Sequence, residues 1–365
     1  MSTRVTTLPD GRTDLKALSL DGLAAFLAQH VPGGKERYRA RQLYKWMWQR
    51  GASSFDEMTN VSKDARRALE QVAGMSFLEL AKRQESADGT TKYVWRLADG
   101  QHIESVLIPD MNRPAYEGVV GKPRLTLCVS TQVGCAMKCT FCLTGDLGLK
   151  RHLTPAEIAN QTLQVQKDLD QRITNIVMMG MGEPLHNFEN LVTALGNMLD
   201  EDGLGFSHRK ITVSTVGLVP KMKELAERLP VNIAVSLNST TEEQRRQVMP
   251  ITQRYSLEEL MQACRDLPLP NGKRITFEYV MMAGFNDDMA DAERPVRLMR
   301  GVRSKVNLIP YNENPDRDIR RPSEERVRAF QEHLVKHGIQ CSIRATRGRD
   351  ISAACGQLGK AAAAG

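Results

Sequence analysis

Three of the chain's seven cysteines fall within eight residues, in the run Cys135-Ala-Met-Lys-Cys139-Thr-Phe-Cys142. Thiols this close together hold metal or do redox chemistry, and an odd, clustered set argues against a disulfide framework. Three thiolates on one tight loop suit a [4Fe–4S] cluster that keeps one iron open to another ligand. They also suit a zinc site closed by a fourth Cys or His from elsewhere. Spacing alone leaves both open. The loop directly follows a predicted strand and precedes alternating strands and helices, which favours the cluster.

Other reactive or polar groups recur where strands are expected to end. Gly180-Met-Gly182-Glu183-Pro184 closes one strand, with a carboxylate able to accept hydrogen bonds from an ammonium group and glycines that allow close backbone approach. Ser214 ends the next, in Thr212-Val-Ser-Thr215-Val-Gly217. Ser236-Leu237-Asn238 ends a third, and Asn312 follows Asn307-Leu-Ile-Pro310-Tyr311. Each taken singly reads as a turn or a loop cap; four strand ends together point to a site. Cys355 sits in a Gly-bearing terminal segment, as a mobile nucleophile or a bystander thiol. Cys128 lies between apolar Leu127 and Val129, the setting of a buried strand residue, and Cys264 and Cys341 read as core or surface residues.

The elements that must position these groups follow from pattern. Residues 1–17 read as disordered. From 18 to about 75 the pattern is helical, in Leu20-Asp-Gly-Leu-Ala-Ala-Phe, in Tyr38 to Arg50, and after Ser62. Residues 76–120 read as a β-meander and linker. Tyr93, Trp95 and Leu97 share one face there, Lys92 and Arg96 the other, and the Asp88-Gly89 and Asp99-Gly100 pairs supply hairpin turns. From 121 to 358, seven strand-like runs alternate with helices: 125–130, 173–180, 210–215, 232–237, 274–282, 305–309 and 340–345. Thr154-Pro-Ala-Glu157 and Ser256-Leu-Glu-Glu259 are capping boxes that open two of the helices. Repeated β/α units imply parallel strands, with chemistry at their C-terminal ends. Residues 359–365 read as a frayed tail.

The chain has 365 residues, 41% hydrophobic and 25% charged, and net charge +7. That is ordinary for a globular enzyme and compatible with a phosphate-rich partner. The sequence shows neither a long apolar span nor a secretory leader core, so a cytoplasmic location is expected. Lys35 to Arg50 interleaves Lys35, Arg37, Arg39, Arg41, Lys45 and Arg50 with Tyr38, Tyr44, Trp46 and Trp48, a composition suited to RNA. Leu43, Trp46 and Met47 read as the inward face of that helix. Arg344, Arg347 and Arg349 are further candidates for RNA contact, and Met178-Met179 and Met281-Met282 read as core.

Cys-x3-Cys-x2-Cys with an aromatic before the third Cys resembles the radical S-adenosylmethionine (SAM) signature, and Cys128-Val-Ser-Thr-Gln-Val-Gly-Cys135 is similar to the RlmN and Cfr branch. The resemblance runs from about residue 20 to 358. It implies an α/β fold: an open partial (β/α)6 barrel with a small N-terminal helical domain and a β-meander extension. It implies a [4Fe–4S] cluster on Cys135, Cys139 and Cys142, with SAM contacted by Gly182, Glu183, Ser214, Ser236, Leu237, Asn238 and Asn312. By the same resemblance Cys355 is methylated by a first SAM. A second SAM, cleaved reductively, gives a 5′-deoxyadenosyl radical that takes a hydrogen atom from the S-methyl group. The carbon radical then adds to C2 of adenine in 23S rRNA or tRNA. Cys128 resolves the adduct by forming a disulfide with Cys355, and Glu104 matches a proposed proton acceptor. A carboxylate on a meander otherwise reads as a solvated surface group. The resemblance also implies a flavodoxin-like electron donor, a monomer and no membrane. The shared motifs leave C8 methylation open, and the residues alone leave open a zinc-stabilised RNA-binding protein without catalysis.

Overall fold

The computed structural model describes residues 6–31, 33–110 and 124–359. No helix among them is long and apolar enough to cross a membrane. The helical start is built from α1 (Leu20–His30), α2 (Glu36–Trp48) and α3 (Lys63–Val72). Ser19 and Ser62 cap α1 and α3 by accepting from the amides of Gly22 and Ala65, satisfying donors that a helix start leaves unpaired. Strand β1 (Thr13–Asp14) pairs in parallel with β2 (Ala73–Gly74) and ties the two ends of this unit together.

Disorder over residues 1–17 is therefore corrected for the described part, 6–17. Leu15 and Lys16 are fully buried, and the Asp14 carboxylate accepts from the amides of Lys16 and Ser76 and from the Ser76 hydroxyl. A polar sequence becomes ordered because its polar groups find buried partners. Residues 1–5 lie outside the described residues.

Helix α2 also departs from the expectation of an RNA-facing aromatic set. Tyr44 and Trp48 are buried with Leu43 and Met47, and the Tyr44 hydroxyl donates to Asn197 Oδ1 at 2.6 Å. Arg41 and Lys45 both pair with Asp202. These side chains dock the helical unit onto the rest of the molecule. Tyr38 alone of the four aromatics stands well exposed.

The body is one ten-stranded sheet. Its first strands, β3 (Glu79–Glu85), β4 (Thr91–Arg96) and β5 (His102–Asp110), are antiparallel, and β5 pairs antiparallel with β6 (Arg124–Cys128). The meander is thus continuous with the main sheet. Its Gly89 and Gly100 turn with φ of 82° and 79°, as the Asp-Gly pairs imply. The linker part of the 76–120 expectation falls at 111–123, outside the described residues. Inside β4, Thr91 to Trp95 are all buried, Lys92 included. Lys92 itself does not face solvent: its Nζ donates to the Ser352 carbonyl, so the C-terminal segment covers it, while Arg96 stays exposed.

Beyond β6 come a short hairpin of β7 (Gln132–Gly134) and β8 (Leu149–His152), with α4 (Leu143–Asp146) in the loop between them. The chain then alternates: α5 (Pro155–Leu169), β9 (Asn175–Met178), α6 (Phe188–Leu199), β10 (Ile211–Thr215), α7 (Val219–Arg228) and β11 (Asn232–Ser236). It continues with α8 (Glu242–Val248), α9 (Leu257–Asp266), β12 (Ile275–Met281), α10 (Met289–Leu298), β13 (Ser304–Pro310), α11 (Glu324–Lys336) and β14 (Cys341–Ile343). Both capping boxes form, at Thr154/Glu157 and Ser256/Glu259. Strands β6, β9, β10, β11, β12, β13 and β14 run parallel in that order, with β14 and β3 as the edges. This is an open barrel whose strand ends share one rim.

Tyr44→Phe removes one buried hydrogen bond and leaves Asn197 Oδ1 short of a donor. It should lower stability by about 1 kcal/mol in urea unfolding.

Candidate active site

The thiol loop is pinned at its stem. In the β7–β8 hairpin the amide of Cys135 donates to the Gly148 carbonyl at 2.9 Å. A Cβ at Gly134, where φ is +74°, would meet that same carbonyl oxygen at 1.8 Å, so only glycine fits. The loop then lies on a separate apolar cluster in which Cys139 packs with Val248, Met249, Met282 and Tyr311, with Met137, Phe141 and Cys142 against them. Burial in this dry patch pushes the Cys135 thiol up to about 12 and raises Cys139 and Cys142 as well. Thiolate at this loop needs a cation to replace the proton.

The three thiols open onto a cavity of about 160 Å3, which Gly180, Gly182, Glu183, Ser214, Ser236, Asn238, Asn312, Arg344 and Cys355 also line. The strand ends singled out in sequence therefore converge on one space. Leu237 is the exception: its side chain is fully buried in the main core, and only its backbone serves the rim, donating to the Glu278 carbonyl.

Glu183 is buried beside Cys135 and Cys139. Its two carboxylate oxygens accept from the amides of Leu185 and Val216 at 3.0 and 2.9 Å, and burial holds its carboxyl up at about 7. Lone pairs remain to receive a cationic group. The Gly182 expectation changes in cause. With φ at +102°, a Cβ there would meet the Gln132 Cβ at 2.5 Å, so glycine is required for packing on Gln132. That side chain in turn accepts from the Glu183 amide at 2.7 Å. Asn238 adopts φ of 56° and accepts from the Val280 amide. Asn312 donates from Nδ2 to the Cys355 carbonyl at 3.0 Å, fixing the backbone of the candidate nucleophile.

The segment bearing Cys355 is strapped across the rim. Leu143 N donates to the Gly356 carbonyl, and Thr144 Oγ1 donates to that of Leu358. Gln357 donates to the Glu313 carbonyl, and Gly359 N to Glu104 Oε1 at 3.2 Å. Of the tail expected frayed over 359–365, Gly359 is thus ordered, and 360–365 lie outside the described residues. Glu104 is fully buried, not solvated, with Lys92 Nζ at 3.7 Å. It does not line the cavity; what it holds is the end of the strap. Cys355 is exposed, Cys128 is buried, and both are free thiols, so the expected disulfide is not formed in this state. Burial pushes Cys128 up to about 12, with the thiol of Cys355 adding to the rise and Arg344 opposing it.

Two residues, Arg245 and Glu278, carry weight that sequence reasoning missed, and Arg344 stands at a place it did not assign. Arg245, buried, donates to the carbonyls of Val216, Ser236 and Leu237 and so fastens the ends of β10 and β11 together. Glu278, buried on β12, and Arg344 both line the cavity. Arg344, read in sequence as a candidate for RNA contact, lines the cavity, where Cys355 first, then Glu278 and Cys128, raise its pKa above the usual arginine value. No periodic pattern marks an isolated Arg or Glu as buried. Met179, expected as core, also lines the cavity.

The donor set fits an iron–sulfur cluster. Three cysteines from one loop line a single cavity with Glu183, and their burial raises all three thiols until a cation replaces the proton, as a three-thiolate cluster with one open iron requires.

Two family models match: "Radical SAM superfamily" over residues 129–294 and "Ribosomal RNA large subunit methyltransferase N-terminal domain" over residues 13–75. The chain is 51% identical to the dual-specificity RNA methyltransferase RlmN of Geobacter sulfurreducens, over 96% of this chain and 92% of that one. It is 47% identical to RlmN 2 of Myxococcus xanthus, over 96% and 91%. Its structure matches the crystal structure of a radical SAM methyltransferase from Sphaerobacter thermophilus with a TM-score of 0.83 at 42% identity, covering 94% and 98% of the two chains.

Gly182→Ala forces the Glu183 backbone off Gln132 at a cost of about 2 kcal/mol in strain and overlap. SAM affinity, measured by equilibrium dialysis on the iron-loaded protein, should fall more than about ten-fold with iron content unchanged. Lys92→Met removes a buried cation 3.7 Å from Glu104 together with its bond to the Ser352 carbonyl, and should cost roughly 3 kcal/mol in denaturant unfolding.

With these relatives and both family models in agreement, the chain belongs to the RlmN family of dual-specificity RNA methyltransferases within the radical SAM superfamily.

Proposed function

We propose that this protein methylates C2 of adenine in RNA: at the peptidyl-transferase centre of 23S rRNA, and in tRNA at the adenine 3′ of the anticodon. The observation that carries the proposal is that one cavity collects the three loop thiols, Glu183, the polar strand ends and Cys355. A [4Fe–4S] cluster with one open iron would bind SAM there and supply the electron that cleaves it, and two SAM molecules would be used per turnover. Cys135, Cys139 and Cys142 would hold the cluster. Gly182 and Glu183 would receive the SAM amino group, and Ser214, Ser236, Asn238 and Asn312, with the backbone at Leu237, would contact the rest of SAM.

An aromatic carbon bearing hydrogen resists transfer of a methyl cation, so the methyl group must first rest on a sulfur. Cys355 is suited to that: it is exposed, lines the cavity, and has its carbonyl held by Asn312. After the S-methylene carbon has joined C2, and the radical adduct has given up the C2 proton and the one electron that the cluster would take back, Cys128 attacks the Cys355 sulfur. An S–S bond forms as the S–CH2 bond breaks, and the freed carbon takes up a proton to become the methyl group. Burial makes Cys128 a reluctant thiolate, and the Arg344 cation works against that rise. Glu104, as the proton acceptor for C2, would have to act from behind the strap it anchors. The target base must leave its stack to reach the cavity. Location in the cytoplasm, action as a monomer and a flavodoxin-type electron donor complete the proposal, with residues 18–75 as an accessory RNA-binding unit and 121–358 as the catalytic barrel.

Anaerobic incubation with SAM, reductant and RNA should yield 5′-deoxyadenosine and 2-methyladenosine; 8-methyladenosine in place of 2-methyladenosine would overturn the position assigned. Cys355→Ala should abolish methylation while keeping its iron. Cys128→Ala should accumulate protein covalently bound to RNA, seen as a shifted band on a denaturing gel.

A further inference from the structure

Outside the thiol-lined cavity, α10 and α11 lie against each other, and α11 also packs on β13 and β14. Glu293 of α10 faces His333 and His337 at the end of α11. Oε2 of Glu293 lies 2.8 Å from His333 Nε2, and the two imidazole rings are 4.3 Å apart. One ligand atom from each of the three residues falls within 4.8 Å of the other two. His337 places Nδ1 2.8 Å from the His333 carbonyl. With Nδ1–H donating there, Nε2 is left as a lone-pair donor in a fixed ring. That backbone bond is the kind of support that orients metal-ligating histidines.

We propose that Glu293, His333 and His337 bind one divalent transition metal ion of the zinc class, clipping α10 to α11. Two imidazoles and one carboxylate are a borderline-soft donor set, which favours zinc over calcium or magnesium. Around tetrahedral zinc, N and O ligands at 2.0–2.2 Å sit roughly 3.4 Å apart. The Glu293–His333 contact of 2.8 Å must open by about half an ångström, and His337, already within 4.8 Å of both, must close on them by no more than about 1.4 Å, within the reach of side-chain rotation. The partly exposed position leaves a fourth ligand to water. The clip steadies the strands that run into Asn312 and Arg344, so its effect is on stability and not on a reaction step.

The test uses the cluster-loaded protein dialysed against zinc, with zinc and iron measured separately. Expected is one zinc per chain with a Kd on the order of 10 μM or tighter, iron unchanged, and a thermal midpoint raised by roughly 2 °C. His337→Ala should lose the zinc, and Glu293→Gln should weaken it about ten-fold or more. Both variants should melt as the wild type does in zinc-free buffer. Absence of zinc uptake by the wild type, equal uptake by both variants, or uptake matched by loss of iron would each overturn the site.

Discussion

The alignment of the parallel strands is the constraint on which the rest depends. Side-by-side parallel pairing from β6 to β14 sends every strand's C-terminal end to the same rim. Cys128 ends β6, Gly182 and Glu183 follow β9, Ser214 lies at the end of β10, Ser236 ends β11, and Asn312 follows β13. Gly182, Glu183, Ser214, Ser236 and Asn312, far apart in sequence, therefore share a cavity, while Cys128 is buried and does not line it. Arg245 reinforces the rim at the point where β10 and β11 would otherwise expose unpaired carbonyls.

Chemistry needs one more element across that rim. The C-terminal strap returns over the open edge and is held from both sides, by the thiol loop at Leu143 and Thr144 and by the meander at Lys92 and Glu104. This explains why the antiparallel meander is fused to the barrel sheet: it is the wall to which the strap is tied. An exposed thiol on a segment held by several hydrogen bonds can face the cavity and still be reached by a large substrate.

Much of this was legible in the sequence where the cause is local. Ligation chemistry demands close thiols, so the cysteine loop stood out; capping boxes and Asp-Gly turns act within a few residues, so α5, α9 and the meander hairpins were readable. What escaped depends on distant partners. Lys92 reads as a solvent-facing strand residue until Ser352 is seen against it. Tyr44 and Trp48 read as base-stacking groups until Asn197 is seen to receive the Tyr44 hydroxyl. Order over residues 6–17 rests on Ser76, some sixty residues away. Glu278 carries no periodic or motif signal and Arg344 reads as an RNA contact; only the meeting of strand ends puts both at the cavity.

The central claim is that three cysteines grip an iron–sulfur cluster whose fourth corner is free for SAM. Mössbauer spectroscopy on anaerobically prepared protein containing 57Fe tests it directly. The account predicts a cluster in which one iron site changes its parameters when SAM is added while the others stay as they were. A spectrum indifferent to SAM, or a protein containing zinc and no iron, would contradict it.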